Sequence, residues 1–239
     1  MKPYQKVPIE ECGEPMIAIL PDLFAVVSPH PYQVLGAPYG EQSPYFLRQR
    51  VVTQLLAAQE ALQQDYPGWR LQIFDAYRPV AVQQFMVDQT LADLARSQGL
   101  TVAALTPDQQ QTLREQVYTF WAPPSLDPTM PPPHSTGAAL DLTLVDGTGQ
   151  VVDMGSPIDE CSPRSYPDYF QISDRPLERQ YHHHRQLLAR VMIAAGFQRH
   201  PQEWWHFSWG DQLWAWLSQQ SGTPVTSAHY GRYELIHGN

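Results

Sequence analysis

The chain has 239 residues, 43% of them hydrophobic, enough for one large domain with a full core or for two small ones. A formal charge of −9, with 15 lysines and arginines and no basic cluster among them, excludes a nucleic-acid surface, because phosphate binding needs cations that displace counterions. No apolar stretch is long enough to span a bilayer, and no apolar run follows Met1 to Gln5 as it would in a secretory leader, so a cytoplasmic protein is expected, with no membrane partner.

The 23 prolines gather before residue 42, between Pro123 and Pro133, and around Pro157 to Pro176. None of these runs divides two self-sufficient hydrophobic segments. One domain over 1–239 is therefore expected, with a loop-rich segment 1–42 and a C-terminal extension 218–239. Ser43 and Pro44 read as the cap and first position of a helix whose stripe is Leu47, Val51, Leu55, Ala58 and Leu62. Pro67-Gly68 ends it, and Trp69 to Phe74 alternates as a strand. A second helix is predicted from Val80 to about Gln98. A third opens at the capping-box-like Thr106-Pro107-Asp108-Gln109. Trp121 to Pro133 is irregular. Ala138 to Val145 then alternates, with Leu140, Leu142 and Leu144 on one face and Asp141 and Thr143 on the other. Asp146-Gly147 predicts a turn into a partner strand at Val151-Val152. A long loop from Met154 to Pro176 follows, then a helix from Leu177 to Ala195 and a last strand from Trp205 to Trp209. Helices and a largely antiparallel sheet in separate blocks indicate an α+β fold, with helices packed on one side of the sheet.

His134, Asp141 and His206 supply two imidazoles and a carboxylate, the donor types of a catalytic zinc whose fourth position is left to water. Glu203 could then take a proton from the attacking water, provided that the backbone there is irregular, since residues three apart in a strand face opposite ways. Asp75 and Arg78 lie where the first long strand ends. They read either as an oxyanion-stabilising cation fixed by its carboxylate, or as an ion pair bracing the strand–helix turn. Consecutive His182, His183 and His184 on a helix point about 100° apart and cannot share one small ion. Cys12 and Cys161, the only cysteines, are too few for a disulfide scaffold and read as reduced, partly buried thiols.

The run from His134 to Asp141 followed by Glu203-Trp204-Trp205-His206 resembles the zinc D,D-peptidase superfamily, with Pro132 standing where its pattern has serine. Asp75-Ala76-Tyr77-Arg78-Pro79 and Asp153 to Asp159 are similar to VanX-type D-alanyl-D-alanine dipeptidases. The resemblance runs from about Ser43 to Trp209 and implies a fold shared with hedgehog signalling domains. It implies one Zn2+ per chain on His134, Asp141 and His206, Glu203 as base, Arg78 as transition-state stabiliser and Asp159 as partner of the substrate ammonium. The implied reaction is hydrolysis of D-alanyl-D-alanine to two D-alanines. A peptidoglycan D,D-carboxypeptidase or endopeptidase, and a non-catalytic zinc-binding module, are the alternatives. Oligomeric state stays open.

Overall fold

The computed structural model describes residues 2–233, so the last six residues of the expected extension 218–239 lie outside the described residues. In chain order the elements are β1 (Met16–Ala18), β2 (Ala25–Val26), α1 (Pro31–Val34), β3 (Phe46–Arg48), α2 (Gln49–Asp65), β4 (Arg70–Asp75), α3 (Val80–Ser97), α4 (Pro107–Phe120), β5 (Ala139–Val145), α5 (Pro176–Ala194), β6 (Gln198–Arg199), β7 (His206–Ser208) and α6 (Gln212–Gln220). The main sheet has the order β2-β4-β5-β7-β6, and β1 pairs with β3 in a separate ribbon.

The α+β class holds, with two differences from expectation. The edge pair β2–β4 is parallel, whereas every other pairing in the sheet is antiparallel. Helices also cover more than one side. Leu71 and Ile73 of β4 and Leu140, Leu142 and Leu144 of β5 pack with Val51, Leu55, Ala58 and Leu62 of α2 and Leu188, Val191 and Met192 of α5. Phe74, which alternates to the opposite face of β4, packs instead against a second cluster built from α3 and α4 around Val82, Met86, Leu91, Leu113 and Val117.

The helix predicted to start at Ser43 and Pro44 begins only at Gln49. Residues 46–48 pair with β1, and Ser43 Oγ accepts from the Tyr45 amide in a local turn. The capping signal is local, and strand pairing from a distant segment overrides it. The capping box at Thr106 forms as read, with Thr106 and Gln109 satisfying each other's backbone amides. The strand expected at Val151-Val152 is reduced to a single bridge between Val145 and Val151.

The two ends of the chain are stitched together near α6. Val7 packs with Trp214, Ala215 and Ala228, Ile9 bridges Ala228, and Gln212 Nε2 donates to the Val7 carbonyl at 2.7 Å. Cys12 and Cys161 are unpaired and exposed rather than partly buried. Among the described residues no helix is long and apolar enough to cross a membrane.

Candidate active site

The sheet register brings three polar side chains into line. β5 and β7 pair so that core-facing Leu140 opposes Phe207 and, on the other face, Asp141 opposes His206. On the other flank Leu71 opposes Leu144 and Ile73 opposes Leu142, and a bulge before Asp75 then sets Asp75 opposite Asp141. Without that bulge strict alternation would turn Asp75 toward the leucines; the extra residue re-aims it to the face that carries Asp141. His134 comes from a 3₁₀ turn, Pro133–Thr136, whose last residue hands over to Gly137 at φ +70°, a left-handed conformation that lets the turn run straight into β5.

His134 Nδ1 donates to the Ala76 carbonyl at 2.8 Å, so its Nε2 carries the lone pair. That Nε2 lies 3.2 Å from His206 Nδ1 and 3.3 Å from Asp141 Oδ2, while His206 Nδ1 lies 3.0 Å from Asp141 Oδ1. The three residues offer donors that all fall within 4.8 Å of one another. Donors on bonds of 2.0–2.1 Å at tetrahedral angles sit about 3.3 Å apart, so this set fits a zinc-sized cation. All three are buried. Burial raises the Asp141 pKa, but His134 and His206 outweigh it and hold the carboxylate well below its usual range. Burial pushes His206 down against the pull of Asp141, which keeps its ring neutral and able to coordinate.

Glu203 lies in the irregular stretch between β6 and β7, as its spacing from His206 requires. Its carboxylate is 3.7 Å from His206 Nδ1 and 3.9 Å from His200 Nδ1. Burial and then the Asp141 charge raise its pKa well above that of an ordinary glutamate. Arg78 is clamped: Nε and Nη2 reach Asp75 Oδ2 at 3.0 and 2.7 Å, and Nη1 reaches Gln83 Oε1 at 2.9 Å. Its Nη2 also lies 3.4 Å from Asp141 Oδ2, and the guanidinium stacks on Tyr32 and Trp121. Asp75 is in turn braced by His30 and Tyr39, each at 3.1 Å. Burial works against the Arg78 charge, but Asp75 together with Tyr32, Asp141 and Tyr39 more than offsets it, so the guanidinium stays fully ionised.

Asp159, at φ +66°, enters from the loop after β5 and accepts from Tyr32 OH at 2.8 Å. Burial and the nearby Asp141 charge push its pKa up to about 7. Arg78, His134, Asp141, Asp159, Glu203 and His206 all line one cavity of about 50 Å³. His182, His183 and His184 belong to α5 and are not among its lining residues.

A family model described as D-ala-D-ala dipeptidase matches residues 26–224. The chain belongs to the D-ala-D-ala dipeptidase family. It is 50% identical over 241 residues to a D-alanyl-D-alanine dipeptidase of Synechocystis, covering 98% of both chains. It is 31% identical over 140 residues to one from Escherichia coli, covering 59% of this chain and 55% of that one. A solved structure of the vancomycin-resistance D,D-pentapeptidase VanY in complex with Zn(II) is 17% identical, spans 75% of this chain and 82% of its own, and gives a TM-score of 0.46. As a member of the dipeptidase family the chain is a peptidase. Several residues of this dipeptidase cavity escaped the sequence reading: Lys2, Tyr4, Trp121 and His200 line it, and Tyr32 and Gln83 hold Asp159 and Arg78. Of these only His200, three residues before Glu203, carried a usable signal in its spacing.

Proposed function

We propose that this chain hydrolyses D-alanyl-D-alanine to two D-alanines, with one Zn2+ held by His134, Asp141 and His206. The observation that carries the substrate is the 50% identity, over nearly the whole of both chains, to a D-alanyl-D-alanine dipeptidase. The donor spacing around His134 Nε2 supports the metal. When bound, zinc supplies a Lewis acid for the scissile carbonyl, activates water toward attack and adds positive charge that favours ionised Glu203.

Glu203 takes the proton of the attacking water and delivers it to the departing amine; its raised pKa gives the carboxylate the basicity for that step. Arg78, fixed at three nitrogens, faces the oxyanion with little freedom left to lose, which makes its charge effective in the transition state. Asp159 takes the substrate ammonium. Residues from Lys2 to Leu213 line the one cavity, so the whole chain acts as a single catalytic domain. The enzyme works in the cytoplasm, where exposed thiols such as Cys12 and Cys161 stay reduced.

The test is release of D-alanine from D-alanyl-D-alanine by the zinc-loaded protein, beside Glu203→Ala. Turnover is expected in the parent and lost in the variant, with zinc content unchanged in both. An active Glu203→Ala protein would overturn the assigned base, and an inert parent would overturn the substrate.

A further inference from the structure

A free dipeptide carries an ammonium at one end and a carboxylate at the other, and a buried cavity that takes both must offer a countercharge to each. The cavity is lined by four carboxylates, Asp141, Asp159, Glu160 and Glu203, but by only two cations, Arg78 and Lys2. Arg78 is already committed to Asp75, Gln83, Tyr32 and Asp141. Lys2 is not committed: among the described residues its ammonium makes no hydrogen bond and no ion pair. We infer that Lys2 is the specificity-determining residue that receives the substrate's free carboxylate, an assignment that rests on the dipeptide reading above.

The fold holds Lys2 in place from several directions. The 3₁₀ turn Pro3–Lys6 starts just after it, the Lys2 amide donates to Gln5 Oε1 at 2.7 Å, and buried Tyr4 lines the same cavity. Val7 is then pinned by Gln212 and by the packing of Trp214, Ala215 and Ala228. Lys2 and Asp159 line the same cavity and come from different segments of the chain. Asp159 is held by Tyr32 beside Arg78, whereas Lys2 acts electrostatically on Glu203 and His200. The cavity therefore offers a zwitterionic dipeptide an anion in Asp159 and a cation in Lys2, beside Glu203 and the three metal donors. Burial lowers the Lys2 pKa while Glu203 opposes the shift, and a bound carboxylate would restore the charge further. Lys2 also lies outside residues 26–224, so the family match does not assign it a role.

The experiment compares D-alanyl-D-alanine with D-alanyl-D-alaninamide, which keeps the ammonium and lacks the carboxylate, on the parent, Lys2→Met and Lys2→Arg. Kinetics of the zinc-loaded enzymes are paired with calorimetric binding to the metal-free proteins. The parent is expected to prefer the acid. Lys2→Met should weaken kcat/KM and binding for the acid at least about tenfold, about the worth of one charged contact, and those for the amide markedly less, since the amide feels only the lost charge beside Glu203. Lys2→Arg should recover part of that loss. Equal losses on both ligands, or an unchanged preference, would overturn the assignment and leave the dipeptidase reading standing. A parent that turns over neither ligand but binds the acid through Lys2 would overturn the dipeptidase reading instead. A parent that neither binds nor cleaves the dipeptide overturns both.

Discussion

Arg78 meets Asp75 through two nitrogens and Gln83 through a third, so its planar fork, and not merely its charge, is what the site uses. Arg78→Lys keeps the cation but cannot make that pattern; kcat is expected to fall about 100- to 1,000-fold with zinc content unchanged, which steady-state kinetics and metal analysis would check. Asp159 gives a prediction with a pH sign. Burial and the Asp141 charge push its carboxyl up to about 7 in the folded protein, well above an ordinary aspartate, so the folded state binds this proton more tightly than the unfolded chain does. Stability from this group is intact below about pH 4 and is lost as pH rises toward 7, where the buried charge has to form. Metal-free Asp159→Asn should accordingly melt higher than the parent at pH 8, the gap closing toward pH 4, while binding of the dipeptide weakens. A gap independent of pH in thermal scans would assign the raised pKa elsewhere. His134, Asp141, Glu203 and His206 could be picked out in the sequence because their donor types and spacing fall in two short runs. Tyr32, Gln83 and Lys2 were not, because nothing local distinguishes them until the chain is folded around Arg78.

Elements aim these residues, and the devices that aim them are small. The loop after β5 carries Asp159 and is tied to α5 by one buried guanidinium. Arg185 Nε donates to the Met154 carbonyl at 2.7 Å, Nη1 to the Tyr166 carbonyl at 2.9 Å and Nη2 to Ser156 Oγ at 3.0 Å. Burial pushes its pKa down to about 10, which still leaves it charged at neutral pH. Gly155 tightens the same join, because a Cβ there would come within 2.5 Å of both Phe170 and Tyr181. Arg185→Met would remove three charge-assisted hydrogen bonds and leave the Met154 carbonyl without a donor, while Ser156 Oγ keeps the Trp204 indole and the Tyr166 carbonyl keeps the Tyr169 amide; a stability loss of about 3 kcal/mol is expected from urea denaturation. KM should also rise as the Asp159 loop loosens, with zinc content unaffected. A variant that loses stability without any change in KM would make Arg185 purely structural. Periodicity predicted α5 within a residue at each end but could not reveal that Arg185 faces inward, since the acceptors it serves lie 19 to 31 residues away. The same limit explains the helix start misread at Ser43. Capping residues are local signals, and the β1 partner that claims residues 46–48 is not. The bulge before Asp75 has no sequence mark at all, yet it alone turns that carboxylate toward Arg78.

At the scale of the whole molecule, the decisive property is how little room the cavity leaves. An apolar cavity of about 150 Å³ takes a benzene molecule, and the free space in this partly open cavity is about 50 Å³. Even a dipeptide must therefore displace lining side chains as it enters, and each further residue would demand a much larger opening. The walls come from every part of the chain: Lys2 and Tyr4 from the N-terminal segment, Trp121 from the end of α4, Cys161 from the loop after β5 and Leu213 from α6. Stem peptides would have to part segments anchored independently, among them the N-terminal segment held by Gln212 and Ala228. The chemistry of a carboxypeptidase would be the same, so side-chain identity cannot separate the two activities; the room in the cavity can. D-Alanyl-D-alanine is accordingly expected to be cleaved at least about 1,000-fold more efficiently, as kcat/KM, than N-acetyl-D-alanyl-D-alanine or a stem pentapeptide. The acetyl group removes the ammonium proposed to pair with Asp159 and adds bulk on the same side, so it tests charge and size together, whereas the pentapeptide tests the limited room. Measured by D-alanine release, comparable rates on all three would mean that the cavity opens freely and that the enzyme trims longer chains.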